Sequence, residues 1–134
     1  MISTAQLYAF NPNVSAQPGA TPPAGSLVAQ AVAAGGTACG WVYDSGNQSI
    51  QFALATPGPK ALASLKEKAA ADSTPTSAYG DGPNVAGFFH VTGSRGEVQV
   101  FTTGHWLVGL SSTFFEPGDA EQLVHDILAN LHLG

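Results

Sequence analysis

The chain has 134 residues, room for one domain with its own core, and carries nine Asp or Glu against four Lys or Arg, a net charge of −5. A surface so poor in cations has no basic field to attract nucleic acid or an anionic membrane. No apolar run approaches about 20 residues, the length of a membrane-spanning helix, and no basic segment leads into an apolar one as in a signal peptide.

Ser3 and Thr4 are cap residues for a short helix running to Phe10, with Leu7 and Phe10 turned inward. Residues 11–25 hold Pro12, Pro18, Pro22 and Pro23 together with two glycines. They read as a loop, either a linker or a strap laid on the surface, within a single domain over 1–134. Ser26 reads as the N-cap of a helix from Leu27 to Ala34, which Gly35 and Gly36 stop.

Trp41 to Asp44 and Gln48 to Leu54 alternate as a hairpin around Ser45-Gly46-Asn47. A turn at Gly46-Asn47 pairs Tyr43 with Ile50 and Trp41 with Phe52, gathering four large side chains on one face. A slip of one residue would scatter them. Pro57-Gly58-Pro59 ends the strand, and Pro59 suits the first turn of a helix from Lys60 to Ala71. Leu62, Leu65 and Ala69 form its inner stripe, with Lys66 and Lys68 outside. Ser73 to Asn84 reads as a second loop.

Between Phe88 and Phe115, Ser94-Arg95 and Gly104-His105 each fit a two-residue turn, which predicts a three-stranded meander. His90 then opposes Gln99, and Gln99 opposes Leu110. One face carries Phe89, Val91, Val98, Val100 and Leu107 and is wholly apolar. The other carries Phe88, His90, Glu97, Gln99, Phe101, Trp106 and Leu110 and mixes aromatic with polar. Pro117-Gly118-Asp119 opens a last helix, on which Ala120, Leu123, Val124, Ile127, Leu128 and Leu131 keep helical spacing. Asp119 and Glu121 sit at its positive end. The elements add up to an α+β domain: an antiparallel sheet of about five strands, a hairpin plus a three-stranded meander, with helices packed on one face.

Motifs for chemistry are sparse. Of the four histidines, His125 and His132 lie on the last helix about 10 Å apart at ~1.5 Å per residue, too far to share an ion. His90 and His105 fall on distant rows of the meander. No histidine has another His or a Cys at ligand spacing, so no metal or other cofactor is expected. Gly93-Ser94-Arg95-Gly96 carries the glycines of a turn and not those of a nucleophile elbow. Gly80-Asp81-Gly82 lacks the lysine of a phosphate cradle. Asn13-Val14-Ser15 and Asn47-Gln48-Ser49 match a glycosylation acceptor pattern and suit turns equally. Cys39, the single cysteine, reads as a buried thiol or as a half-cystine whose partner lies outside this chain. No cation stands near it in sequence to make it a nucleophile.

The mixed sheet face is the strongest candidate site. Phe88, Phe101 and Trp106, with His90 and Gln99 between them, form either an apolar floor with polar handles for a ligand or a second core under a covering helix or strap.

Gly35-Gly36, Cys39-Gly40-Trp41, the strands from Gly87 to Phe115 and the helix from Asp119 to Leu131 together resemble an actinobacterial secreted lipoprotein domain family of unknown function. The order of elements is also similar to the PsbP/Mog1-like sandwich. The first resemblance implies export, a lipid or wall anchor upstream, and a disulfide from Cys39 to an earlier cysteine. The chain departs from that pattern in holding no lipobox, no signal segment and no second cysteine. The expectation is an extracytoplasmic accessory module of the bacterial cell envelope, secreted or lipid-anchored. It would bind a protein or a small envelope ligand without catalysis. The alternatives are a small hydrolase or isomerase using His90 with Glu97 or Gln99, and a structural spacer with no concave site.

Overall fold

A computed structural model describes residues 1–46, 48–80 and 83–131. In chain order the elements are α1 (Thr4–Phe10), β1 (Val14–Ala16), α2 (Leu27–Ala33), β2 (Thr37–Tyr43), β3 (Ser49–Ala55), α3 (Pro59–Asp72), β4 (Thr74–Thr76), β5 (Ala86–Thr92), β6 (Arg95–Thr102), β7 (His105–Ser111) and α4 (Glu121–Asn130). A short 3-10 turn over Pro117–Ala120 leads into α4. The class is α+β, with the strands in one antiparallel sheet of order β1-β2-β3-β7-β6-β5-β4.

The sheet therefore has seven strands where about five were expected. The two additions are the edges, β1 and β4, each three residues long and set inside segments that read as loops. Val-Ser-Ala and Thr-Pro-Thr are too short to show alternation, and Pro75 is tolerated because an edge strand leaves one side of its backbone unpaired. Val14 pairs with Tyr43 and Ala16 with Trp41, so the 11–25 segment begins as a strand. It continues as a strap, where Gln17 N–H donates to the Gly40 carbonyl at 2.8 Å.

Helix starts follow local chemistry. Ser3 and Gln6 close a reciprocal capping box on α1. The Ser26 hydroxyl accepts from Ala29 N–H at 3.1 Å at the head of α2. Pro59 occupies the first turn of α3.

The hairpin registers differ from those expected, each by two residues in the partner. Trp41 pairs with Ile50, His90 with Glu97, and Gln99 with Phe88 and Val108. The turns sit one residue earlier than expected, at Gly93-Ser94 and Thr103-Gly104, with Gly93 at φ 59° and Gly104 at φ 80°. A glycine at a central turn position takes the left-handed conformation at little cost, which Ser94-Arg95 would not. A shift of two leaves every side chain on its own face, so the face assignment survives. The first hairpin closes through Asp44, Ser45 and Gly46, while Asn47 lies outside the described residues.

Helices cover both faces of the sheet and not one. On the first face, α1 and α4 pack over Trp41, Ile50, Phe52, Phe89, Val98, Val100 and Leu107. Asn130 joins the two helices through Gln6 and the Met1 carbonyl. On the second face, Val28 and Ala31 of α2 and Ala69 of α3 pack over Ala53, Phe88, Phe101, Trp106, Val108 and Leu110. The mixed face carries enough apolar surface to require such a cover.

Candidate functional site

The candidate site is a single rung of the sheet. Thr74 of β4 pairs with Phe89 of β5, so one residue further the antiparallel ladder sets Ser73 opposite His90. His90 in turn pairs with Glu97 of β6. Directly opposed residues present their side chains on one face, here the second. Ser73, the C-cap of α3 just ahead of β4, thus stands in a row with His90 of β5 and Glu97 of β6.

Hydrogen bonds link the row. Glu97 Oε1 lies 3.0 Å from His90 Nε2, and Ser73 Oγ lies 2.9 Å from His90 Nδ1. In the tautomer that pairs a neutral imidazole with an ionised carboxylate, the ring proton sits on Nε2 and is donated to Glu97. Nδ1 is then an acceptor, and the Ser73 hydroxyl donates to it. Glu97 is 3% exposed. Its second oxygen accepts Leu27 N–H at 2.8 Å and stands 3.8 Å from Arg95 Nε. A carboxylate this deeply buried needs such partners on both oxygens. Glu97 therefore serves two ends: it caps the start of α2 and fixes the orientation of His90.

The row opens into a cavity of about 410 Å³ between α2, α3 and the β5–β6 hairpin. Leu27 and Leu65 give it an apolar wall, and Gln99 and Trp106 lie at its base. Lys68 and Arg95, half of the chain's four Lys and Arg residues, line it together with the carboxylates of Asp72 and Glu97. Arg95 Nε has no hydrogen-bond partner among the described residues.

The five residues singled out on the mixed face separate into two groups. Phe88 and Phe101 are buried in the second core, their rings edge to face at 5.8 Å. Trp106 is 1% exposed and donates its indole N–H to Gln99 Oε1 at 3.1 Å. That bond takes up the polar handle of Gln99 and stacks Trp106 against Phe101. The aromatic floor is a second core beneath helices, and His90, with 23% of its side chain exposed, carries the accessible polar group. Ser73, Lys68 and Arg95 were not singled out from sequence. Reading Thr74-Pro75-Thr76 as an edge strand would have placed Ser73 beside His90.

A second concavity, of about 500 Å³, lies between Met1, Ile2, the strap and β2, with Cys39 and Trp41 in its lining. It offers packing surface and no acidic or basic side chain. Cys39 is half-buried there as a free thiol.

Elsewhere, the other histidines are occupied locally. His125 Nε2–H donates to the Ala78 carbonyl at 2.9 Å, and His105 Nδ1–H to the Thr103 carbonyl at 3.0 Å. His132 lies outside the described residues, as do Asp81 and Gly82 of the Gly80-Asp81-Gly82 segment. Among the described residues no group of three or more His, Cys, Asp or Glu is placed to hold a metal ion, and no helix is long and apolar enough to cross a membrane. Asn13-Val14-Ser15 runs into β1, with the Asn13 carbonyl accepting from Asp44 N–H. Tyr79 is buried at the edge of the first face and donates to the Pro117 carbonyl at 2.9 Å. Burial first, and then the carboxylates of Glu121 and Asp119, push its phenol well above the usual range.

No protein-family model matches the chain, and no curated protein or solved structure matches it.

Proposed function

We propose that this chain is an extracytoplasmic binding module of the bacterial cell envelope that takes a small carboxylate-bearing molecule into the cavity beside His90. The observation that carries the reading is a concave, partly apolar site that brings together Lys68 and Arg95, two of the chain's four Lys and Arg residues, beside the carboxylates of Asp72 and Glu97. Leu27 and Leu65 supply the apolar side of the site. A structural spacer gives no account of such a cavity.

The envelope setting rests on the low charged fraction and on the likeness of Gly35-Gly36 and Cys39-Gly40-Trp41 to the secreted lipoprotein domains. It carries with it a lipid anchor upstream and a cystine partner for Cys39. Fractionation of the source cells tests that part, and recovery of the protein in the cytosol alone would overturn it.

The binding reading is tested by NMR titration of the full chain with acetate, succinate and benzoate. Shifts are expected to concentrate at His90, Thr92 and Arg95. Arg95→Gln should weaken the tightest of the three by about 10-fold or more, the loss of one charge-assisted hydrogen bond. Shifts absent from the cavity for all three acids, or unchanged by Arg95→Gln, would sink it.

A further inference from the structure

We infer that Ser73 is an acyl-accepting nucleophile and that the cavity has esterase activity toward small carboxylate esters. The inference rests on the cavity being the binding site, and it adds a reaction and a nucleophile to that reading. The sequence offered His90 with Glu97 or Gln99 as an acid–base pair. The sheet assigns Glu97 to His90, gives Gln99 to Trp106, and brings Ser73 to the free ring nitrogen.

The parts of a relay are present in order. Glu97, nearly sealed from water and held by Leu27 N–H, fixes the imidazole with its proton on Nε2. Nδ1 is left as the base, 2.9 Å from Ser73 Oγ, within reach for proton transfer. Ser73 is half-buried and lines the same cavity as His90. Its position is set by the last backbone bond of α3, Ser73 N–H to the Ala69 carbonyl at 2.8 Å, and by the β4–β5 ladder that follows at once. The hydroxyl is therefore held between a helix end and a strand, and binding need not order it.

The chemistry balances without any co-reactant but water. Ser73 Oγ attacks the ester carbonyl carbon as its proton passes to His90 Nδ1. The carbonyl oxygen takes the negative charge, with Lys68 and Arg95 the cations of the cavity lining. The bond from carbon to the alkoxy oxygen then breaks, and His90 returns the proton to the leaving alcohol. Water repeats the sequence on the acyl-Ser73 ester, giving the carboxylic acid and the free hydroxyl. The acid so formed is of the class that Arg95 is proposed to hold.

The test uses the full chain and p-nitrophenyl acetate. A burst of p-nitrophenolate equal to the protein concentration is expected, together with one acetyl group mapped by fragmentation to Ser73. Ser73→Ala should abolish both. Glu97→Gln keeps an acceptor for Leu27 N–H but offers an N–H to His90, which moves the ring proton to Nδ1. The burst rate should then fall on the order of 10²- to 10⁴-fold. Acetylation confined to lysines or histidine, or an equal burst from Ser73→Ala, would overturn the inference. Carboxylate binding without acylation removes the nucleophile and leaves the binding module standing. Acylation of Ser73 without carboxylate binding does the reverse.

Discussion

Against α1 and α4 the sheet presents Trp41, Phe52 and Val100, and the gap is closed by large side chains: Phe52 meets Trp41 and Phe114 edge to face at 6.4 and 6.2 Å. Against α2 and α3 it presents Phe101 and Trp106 beside Glu97 and Gln99, and the helices answer with Val28, Ala31 and Ala69. Small helix residues let the layers approach closely at the middle of that face. They leave its β5–β6 end unfilled, and there the buried polar groups bond to one another and to the head of α2. The first face is held by packing, the second by packing at one end and a hydrogen-bonded row at the other. A chain with one sheet thus keeps a wholly packed face and a partly polar, open-ended one on opposite sides.

The largest expected effect falls on the packed face. Phe52 is fully buried, and Gly109 opposite it leaves space for the ring and none for a Cβ. Phe52→Ala should cost about 3–5 kcal/mol in urea unfolding. A loss below that of the polar-face variants would erase the contrast between the faces. Next comes Glu97→Ala, which strands Leu27 N–H and removes the partner of His90. The expected cost is about 1–3 kcal/mol, with the amide of Leu27 losing protection in hydrogen exchange before the rest of the sheet. Uniform loss of protection over both faces would show that the row is not a local clamp.

Tyr79→Phe should cost about 1 kcal/mol near neutral pH through the lost bond to Pro117. Its second consequence is at high pH. The folded-state pKa of Tyr79 is raised above its unfolded value of about 10. Its contribution is therefore complete below about pH 10 and is lost as the pH climbs beyond that value. The wild type should lose stability in that alkaline range more steeply than Tyr79→Phe, and identical alkaline limbs would remove Tyr79 from the account. The smallest effect is expected at Val91, which is 57% exposed beside the cavity. Val91→Thr should leave stability within about 0.5 kcal/mol.

The division into faces was legible in advance because strand periodicity is two, and an error of two in register does not disturb it. Phe89, Val98, Val100 and Leu107 were assigned to one face and Phe88, Glu97, Phe101 and Trp106 to the other, and the structure keeps them there. The turns were displaced by one residue because glycines bracket Ser94-Arg95, and sequence does not say which of the four takes the central positions. Ser73 escaped notice for a different reason. Its proximity to His90 depends on a three-residue edge strand whose pairing is supplied wholly by β5.

The sequence by itself determined the α+β class, the helix starts at Ser3, Ser26 and Pro59, and the sorting of meander residues into a pure and a mixed face. These follow from caps and periodicity, which act within a few residues. Only the tertiary structure decided that helices cover both faces, that Trp106 and Gln99 satisfy each other in a core, and that Ser73, His90 and Glu97 share one rung. Those outcomes depend on which strand lies beside which, and pairing between distant segments leaves no local mark.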